Sequence, residues 1–370
     1  MACLLTLNTG SSSVKFRLFS LDDGLPLLAG GKISDIGGSP VFSVGRRGED
    51  EARHDLNADL SHESAIGLVL NWLSDHDLTV EAAVHRIVHG GERYARPVYL
   101  DDAVIEDLRE LSSLAPLHQP HNLAGVEILR RSQPDLPQYG CFDTAFHAGH
   151  GRIFHEFALP APIREKGVKR YGFHGLSYEW IAHCLRADFP DLAKGRVVAA
   201  HLGNGASLCA IKGGESIDTT MGMTALDGLP MGTRCGALDA GAVIFMLRDL
   251  GMSTEEVEGA LYHDSGLKGL SGISNDVKTL VESDDDNAAF ALAYFAMKTA
   301  QYIAAMAVSM GGMDALIFTG GIGEHAGQVR EMILGHLSFM PDFQHHIIPA
   351  NEERAMAASI YTQFKDQIFN

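Results

Sequence analysis

The turn after Asn8 consists of small hydroxyl residues and glycine, and it separates two segments with strand-like patterns. Residues 4–7 are apolar, and residues 14–18 alternate between apolar and basic side chains, which is the period of a strand. A turn of glycine and serine lets backbone N–H groups approach a phosphate, because no bulky side chain blocks the way. Lys15 adds a positive charge just beyond the turn. The sequence therefore predicts a hairpin that binds phosphate at its tip.

The better-known phosphate loops do not match this turn. A P-loop needs the spacing GxxxxGK[ST], and both it and the dinucleotide-binding loop lead into a helix whose N-terminus faces the phosphate. Here that spacing is absent and a strand follows the turn. We therefore exclude both motifs and favour a phosphate-binding hairpin.

The hairpin pattern recurs in the second half of the chain. Residues 196–201 have the pattern of a strand, residues 202–205 form a glycine-rich turn, and residues 206–211 and 215–219 have the pattern of two further strands. We interpret this repetition as a duplicated core, with two phosphate-side hairpins that face a cleft. The second half begins near residue 150.

The bulk composition is that of a soluble enzyme with two domains. The chain has 370 residues, 46% of them hydrophobic and 21% charged, and its formal net charge is −18. Such a charge repels nucleic acid and anionic membranes, so we expect neither as a partner. The five cysteines are scattered without a CxxC pair, which indicates reduced thiols and a cytoplasmic location.

Hydrophobic periodicity predicts the elements that position these turns. The expected helices cover residues 61–74, 103–114, 287–310 and 353–364, and the expected strands cover residues 82–88, 138–142 and 315–319. Asn122 is predicted to cap a helix that runs to Arg131. Residues 30–60 are predicted to form short strands at most. The last helix is expected to pack on the first domain.

Eight short blocks are rich in polar residues, and five of them also contain glycine, where a hydrophobic core would contain neither. With the NTGSSSVK hairpin they run through the chain in this order: HRIVHGGE (85–92), APLHQPHN (115–122), FDTAFH (142–147), YGFHG (171–175), HLGNG (201–205), MGTRCG (231–236), TGGIGE (319–324) and PANEE (349–353). As a set they resemble the acetate kinase family and its short-chain acyl relatives over almost the whole chain.

This resemblance implies an α/β fold, namely the two-domain actin-like ATPase (ribonuclease H-like) fold with a duplicated βββαβαβα core. It implies an N-terminal acyl and phosphate-side domain over residues 1–148, joined by a C-terminal helix over residues 354–370. A nucleotide-binding domain then covers residues 149–353. The family also implies a homodimer formed through the C-terminal domain.

The chemistry of such an enzyme explains why arginines matter here. A carboxylate is already ionised at neutral pH, so its attack on a γ-phosphate needs no general base. The difficulty is to bring two anions together, which calls for arginines, other hydrogen-bond donors and a metal ion. The resemblance implies that Arg86 and Arg234 bind the carboxylate and the phosphoryl group. It implies that His174 donates to a phosphoryl oxygen with His118 nearby, and that Asp143 orients an arginine or metal-bound water.

The remaining site residues are implied by the same motifs. Asn8 and Glu352 match the Mg²⁺ positions, with Mn²⁺ as the other possible ion, and ATP or ADP is the nucleotide. The expected nucleotide-binding residues are Ser11, Ser13, Lys15, His201, Leu202, Gly203, Asn204, Gly205, Asp276, Val277, Lys278, Gly321, Ile322, Gly323, Glu324 and His325. The expected acyl pocket consists of Val88, Leu117, Phe173 and Ala225. Val88 is bulky enough to favour acetate, with propionate as a second substrate because one methylene is worth only ~1–3 kcal/mol.

Several positions depart from the family pattern and leave alternatives open. Cys235, Ala237, Lys278 and His325 differ from the usual residues, and so does Ala225, where the family has proline. The phosphoryl donor therefore stays open between ATP and pyrophosphate, and the acid between acetate, propionate and butyrate. A nucleotide-binding sensor without turnover is the alternative from another class. The direction of the reaction cannot be deduced from the residues.

The other histidines are interpreted as structural. His85, His89, His121 and His147 carry no expected role in the reaction. His345 and His346 are neighbours on a predicted strand, so their side chains point in opposite directions and do not form a metal site.

Overall fold

The computed structural model describes residues 2–22, 24–116 and 118–368, with side chains described as far as Phe364. The chain divides into two compact units. Unit 1 comprises Met1–Ala145 and Asn351–Asn370, and unit 2 comprises Phe146–Ala350. Within the described ranges, no helix is long and apolar enough to cross a membrane.

Both units combine strands with helices. The strands are β1 (Ala2–Thr9), β2 (Val14–Ser20), β3 (Leu27–Ser34), β4 (Val41–Arg46), β5 (Ala52–Asp55), β6 (Thr79–Ile87), β7 (Val98–Tyr99), β8 (Gln138–Phe142), β9 (Arg196–Leu202), β10 (Ala206–Lys212), β11 (Glu215–Thr219), β12 (Ala315–Thr319) and β13 (Gln344–Ile347). The helices are α1 (His62–Asp75), α2 (Asp102–Glu110), α3 (Gln119–Ser132), α4 (Arg152–His155), α5 (Ala161–Arg164), α6 (Gly175–Asp188), α7 (Ala240–Arg248), α8 (Thr254–His263), α9 (Gly266–Ser271), α10 (Val277–Val281), α11 (Asp286–Met310), α12 (Gly320–His325), α13 (Gly327–His336) and α14 (Glu352–Ile368).

The sheet of unit 1 has the strand order β5-β4-β3-β2-β1-β6-β8-β7. Strands β1 and β2 form an antiparallel hairpin in which Asn8 pairs with Lys15 and Thr9 pairs with Val14. Strand β6 then runs parallel to β1, and β8 runs parallel to β6. The carboxyl ends of three parallel neighbours therefore lie along one edge of this sheet, next to the hairpin turn.

The sheet of unit 2 repeats the central part of this arrangement. Its order is β11-β10-β9-β12-β13, with an antiparallel β9–β10 hairpin and β12 parallel to both β9 and β13. In unit 2 and in the central part of the unit 1 sheet, three antiparallel strands are followed by two later strands that add in parallel on the far side of the first strand. The duplication predicted from the two hairpin patterns is present in the topology.

The hydrophobic residues that alternate along the strands explain how the helices pack. In unit 1, Phe16 and Leu18 of β2 and Ile66 and Val69 of α1 belong to one buried cluster. Helix α14 contacts β1 and β6, and its Ile360 is fully buried. In unit 2, α6 shares a buried cluster with β9, β10 and β12, and α11 contacts β9, β10 and β11.

Most predicted elements are present, and three predictions need correction. Asn122 does not cap a helix, because α3 begins at Gln119 and Asn122 is buried within it. The helix expected over residues 103–114 ends at Glu110 and continues as a 3₁₀ turn, Leu111–Leu114. Residues 30–60 are more ordered than predicted, since strands β3, β4 and β5 extend the sheet there.

Candidate active site

Arg86 forms the centre of a charged cluster in unit 1. It lies on β6, and Asp143 follows β8, the parallel neighbour of β6. Arg86 donates from Nε to Asp143 Oδ1 at 3.0 Å and from Nη2 to Oδ2 at 2.6 Å. Its Nη1 lies 3.4 Å from Oε2 of Glu352, the first residue of α14. One guanidinium thus contacts two carboxylates that come from distant parts of the chain.

Burial controls the charges of this cluster. The side chains of Arg86, Asp143 and Glu352 are 19%, 2% and 14% exposed. Burial lowers the pKa of Arg86, but the charges of Asp143 and Glu352 more than offset this, so its pKa lies above the ordinary value. Burial also raises the pKa of Asp143 against the opposing effect of Arg86. The guanidinium is therefore charged at any physiological pH, and its forked geometry suits a carboxylate or a phosphate.

Two amide side chains of α3 hold the segment that follows β6. Asn122 accepts a hydrogen bond from Val88 N at 3.0 Å and donates one to Thr9 O at 2.7 Å. Gln119 accepts from His89 N at 3.1 Å and donates to His89 O at 3.0 Å. Asn122 thereby ties the end of β1, which carries Asn8, to Val88 of the expected acyl pocket. His118 is the residue that precedes α3.

The turn of the β1–β2 hairpin is also anchored. Gly10 N donates to Ser13 O at 2.8 Å, and the carbonyl oxygen of Gly10 accepts from His62 Nε2 at 2.8 Å. His62 is the first residue of α1. Ser11 and Lys15 are exposed to solvent, whereas Asn8 and Ser13 are half-buried. The polar groups of the turn are thus accessible on a fixed backbone.

His174 is positioned in unit 2 by its backbone conformation and by contacts with Ser207 and His201. It precedes α6 in a left-handed conformation with φ of 58°, which is uncommon for a residue other than glycine. Its Nδ1 lies 2.9 Å from Ser207 Oγ on β10, and Tyr178 contacts the same hydroxyl at 2.5 Å. Its ring stacks on that of His201 with 4.3 Å between centroids. If Ser207 donates to Nδ1, the proton of the neutral ring lies on Nε2.

Arg234 and His174 meet at the glycine turn between β9 and β10. A Cβ atom at Gly205 would lie 3.3 Å from both Arg234 Nη2 and His174 Nε2, so glycine leaves room for both donors. Arg234 also donates from Nη1 to the carbonyl of Ala225 at 2.7 Å. Asn204 O accepts from Gly232 N at 3.0 Å, which fixes the turn to the segment before Arg234. The structure thus brings together a guanidinium, an imidazole and a backbone turn.

A buried network of neutral groups supports the segment that carries Phe173 and His174. His147 Nε2 lies 3.0 Å from Phe173 O and its Nδ1 lies 2.8 Å from Ser216 Oγ. His150 Nε2 contacts the same hydroxyl at 2.7 Å. Because Phe173 O can only accept, Nε2 of His147 is the donor, so Ser216 donates to its Nδ1 and accepts from His150. Burial lowers the pKa of His147 to about 4 and that of His150 to about 3.

Apart from Ser11, Ser13 and Lys15 of the unit 1 hairpin, the expected nucleotide residues lie in three separate segments of unit 2. His201 and Leu202 end β9, and Leu202 is fully buried, which leaves only its main chain for a ligand. Asp276 caps α10 by accepting from the backbone N–H of Lys278 and Thr279, and Val277 is buried below it. The residues Gly321, Ile322, Gly323, Glu324 and His325 form α12.

The side chain of Glu324 accepts two backbone hydrogen bonds and so stabilises the turn after β12. Its Oε1 accepts from Gly320 N at 3.0 Å and from Ala350 N at 2.9 Å. It therefore holds the strand-to-helix turn after β12 to the end of unit 2. Gly320 itself adopts φ of 77°, and a Cβ atom there would lie 2.8 Å from the carbonyl oxygen of Leu202. This close approach explains why the turn needs glycine.

The structure thus gathers the predicted residues into two sets. Unit 1 contains Arg86, Asp143 and Glu352 in direct contact, and unit 2 contains His174, Arg234 and Gly205. Leu117, which was expected in the acyl pocket, lies outside the described residues. The sequence pattern indicated a different role for Asn122, as a helix cap. It did not indicate the other groups that position these residues, namely Gln119, His62, Ser207, Tyr178, Ser216 and His150. Their contacts span tens of residues, so no local pattern indicated them.

Cys235 follows Arg234 but is not an activated thiol. Burial raises the pKa of Cys235, and its Sγ lies 3.1 Å from the carbonyl oxygen of Gly236. A thiol nucleophile needs a lowered pKa, so the geometry gives Cys235 a packing role.

Comparisons with known proteins agree with the motifs. The sequence model of the Acetokinase family matches residues 3–358. Acetate kinase of Rhodopseudomonas palustris is 46% identical over 344 residues, which cover 89% of this chain and 85% of that protein. The structure of a propionate kinase from Francisella tularensis superposes with a TM-score of 0.90 at 31% identity. The superposition covers 97% of this chain and 99% of that one. Acetate kinase of Porphyromonas gingivalis gives a TM-score of 0.84 at 30% identity, covering 98% and 99% of the two chains.

These likenesses confirm the two-domain actin-like ATPase fold that the motifs implied. The matched residues include every motif block and both hairpins. The chain belongs to the acetokinase family.

Proposed function

We propose that this protein is an acetate kinase that reversibly transfers the γ-phosphoryl group of ATP to acetate. An acetate oxygen forms the new bond to phosphorus while the bond between phosphorus and the β–γ bridging oxygen breaks, giving acetyl phosphate and ADP. No proton is transferred in this step, because the attacking carboxylate is already ionised. Family membership supports this assignment, and so does the permanently charged Arg86, which contacts the carboxylates of Asp143 and Glu352.

The residues of the two units supply different parts of this reaction. Arg86 binds an anionic oxygen of the reactants, and Asp143 fixes the guanidinium through two hydrogen bonds. In unit 2, Arg234 and Nε2 of His174 donate to the oxygens of the transferring phosphoryl group, where negative charge must be stabilised. Ser207 keeps the His174 proton on Nε2. Each role uses a donor that its surroundings already orient.

Asn8 and Glu352 would hold the Mg²⁺ ion that accompanies ATP. Both offer oxygen ligands, and Mg²⁺ sites in kinases commonly use one or two carboxylates together with phosphate oxygens and water. The ion neutralises phosphate charge when it is bound. Glu352 begins α14 and points a carboxylate toward Arg86, so its orientation is set by the helix and by the ion pair.

Propionate is the second acid that we propose as a substrate. The propionate kinase from Francisella tularensis shares the fold at a TM-score of 0.90. Ala225 is smaller than the proline of the family pattern, and its carbonyl holds Arg234. A hydroxylamine trap for acyl phosphates, run with Mg-ATP and each of acetate, propionate and butyrate, tests both statements. We expect the highest kcat/KM with acetate, and a chain that forms no acyl phosphate with any of them is not an acyl kinase.

The same assay identifies the phosphoryl donor and the ion. We expect turnover with ATP and none with pyrophosphate, and turnover that EDTA abolishes and Mg²⁺ or Mn²⁺ restores. A cytoplasmic location completes the proposal, since the scattered cysteines fit a reducing compartment.

We also propose a homodimer formed through unit 2. Helix α7 has no buried residue in the monomer, although its sequence AGAVIFMLR is largely apolar. Ile244 and Phe245 are 50% and 53% exposed, and Leu250, just beyond the helix, is 60% exposed. A helix this apolar is typically covered by a partner. Sedimentation equilibrium should give a dimer, and Phe245→Asp should shift it to the monomer, whereas Ile153→Asp, at another exposed apolar position, should not. A monomeric wild-type protein contradicts the proposal.

A further inference from the structure

Unit 1 contains a basic cavity that takes no part in the proposed reaction. Its volume is about 420 Å³. Three arginines line it, Arg17, Arg47 and Arg354, and Phe19, Pro26 and Leu27 supply apolar surface beside them. Arg17 comes from β2, Arg47 follows β4, and Arg354 lies in the first turn of α14. Three different elements thus contribute a positive charge to one concave surface.

The backbone holds two of these arginines in place. Arg354 donates from Nη1 to Leu25 O at 3.1 Å and from Nη2 to Gly24 O at 2.9 Å. The Arg17 side chain lies flat across Gly30, its partner on β3, where a Cβ atom would come within 2.4 Å of Arg17 Cδ. Glycine at this position therefore gives Arg17 its room. Side chains fixed in advance lose little conformational freedom when a ligand binds.

The charge of the cavity contrasts with the rest of the chain. The net charge is −18, and elsewhere in unit 1 Arg86, Arg93 and Arg109 each pair with a carboxylate. Within the described ranges, no carboxylate forms an ion pair with any of the three arginines that line the cavity. Like charges gathered in one cavity repel each other, and a bound anion removes this repulsion.

We propose that this cavity binds a small organic phosphate. Guanidinium groups form forked hydrogen bonds with phosphate oxygens. A phosphate monoester carries up to two negative charges, which the three positive charges of the arginines can neutralise. The apolar surface of Phe19, Pro26 and Leu27 would cover the carbon skeleton of the ligand. The volume exceeds that of inorganic phosphate, so the organic part contributes to the binding.

Isothermal titration calorimetry with glucose 6-phosphate tests this proposal. The titration is done with saturating acetate and a non-hydrolysable Mg-ATP analogue, so that Arg86, Arg234 and His174 are already occupied. We expect one bound equivalent per chain, tighter binding than for inorganic phosphate or citrate, and no binding of glucose. Absence of binding, or equal affinities for glucose 6-phosphate and inorganic phosphate, overturns the proposal.

Neighbouring arginines provide a matched pair of variants. Arg47→Gln should weaken binding about tenfold, a loss of about 1.4 kcal/mol, whereas Arg46→Gln, which does not line the cavity, should leave it unchanged. Both residues are exposed, so both variants should fold and keep their acyl kinase activity. Gly30→Ala should weaken binding as well, because it displaces Arg17. Equal affinities for the Arg46→Gln and Arg47→Gln variants would refute the site even if acyl kinase activity is normal.

Discussion

The two units orient the side chains of the candidate site by different means. In unit 1, Arg86 is held by the carboxylates of Asp143 and Glu352, so the cluster depends on charges. In unit 2, His174 is held by Ser207, and the segment before it is held by His147 and Ser216, which are neutral groups. Ion pairs around a guanidinium persist over a wide pH range. A network of neutral histidines, in contrast, fails when a histidine takes up a proton.

Arg86→Ala should produce the largest effect and tests the ionic half of this comparison. The change removes a guanidinium that donates hydrogen bonds to the phosphoryl group or to the carboxylate, so we expect kcat to fall about 10²- to 10³-fold. It also leaves the buried Asp143 unpaired, which should cost about 3–5 kcal/mol of unfolding free energy. Steady-state kinetics and urea unfolding measure the two losses.

Arg93→Ala is the control for that variant. Arg93 pairs with Asp107, but its side chain is 70% exposed, and surface pairs contribute about 0–1 kcal/mol. We expect nearly wild-type kinetics and stability. If Arg86→Ala behaved like Arg93→Ala, the charged cluster would have no role in the reaction.

The neutral half of the comparison predicts sensitivity to acid. The pKa of His150 is lowered from 6.5 to about 3, so the unfolded chain binds more protons than the folded chain between these values. The stabilisation is complete above pH 6.5 and is lost as the pH falls below it. Between pH 7 and pH 5, protonation of this one histidine in the unfolded chain should lower the free energy of unfolding by roughly 2 kcal/mol.

A single tryptophan in each unit allows a specific measurement. Trp72 is half-buried against the core cluster of unit 1, and Trp180 is half-buried against that of unit 2. In a Trp72→Phe background, urea unfolding followed by Trp180 fluorescence should show the acid-dependent loss, and His150→Asn should make it smaller. His345→Asn, at an exposed position, should leave the slope unchanged. The same slope in both variants would contradict the assignment to His150.

Ser207→Ala should have the smallest effect and tests how His174 is oriented. Without this hydroxyl, Nδ1 of His174 loses its partner and the proton is no longer kept on Nε2. We expect kcat to fall about tenfold, which corresponds to about 1.4 kcal/mol, with little change in KM for ATP. Ser338→Ala, at an exposed position of the same unit, is the control. A change in KM with unchanged kcat would assign Ser207 to nucleotide binding instead.

Local patterns were sufficient to predict the hairpins and the long helices α1, α11 and α14, whereas helices such as α6, α7 and α8 were not predicted. The β1–β2 and β9–β10 hairpins followed from alternation around turns of small residues, and α11 followed from its apolar period. Asn122 was misassigned, because a polar residue near a helix start resembles a cap when only neighbours are considered. Its partners Val88 and Thr9 lie 34 and 113 residues away.

The supporting shell of the candidate site could not be predicted for the same reason. Ser207 and Ser216 have the ordinary pattern of strand residues, and only the sheet places them beside His174 and His147. Arg86 and Asp143 were found because their motifs resemble a family. The ion pair between them depends on the parallel register of β6 and β8, which no single segment specifies.

Helix α14 belongs to unit 1 although unit 2 precedes it in the chain. It contributes Glu352 to the charged cluster and Ile360 to the buried interior. During translation, the ribosome therefore releases all of unit 2 before the first unit can acquire its final helix. Until then the part of β1 and β6 that α14 contacts stays uncovered, so the assembly of unit 1 finishes only after α14 has been synthesised.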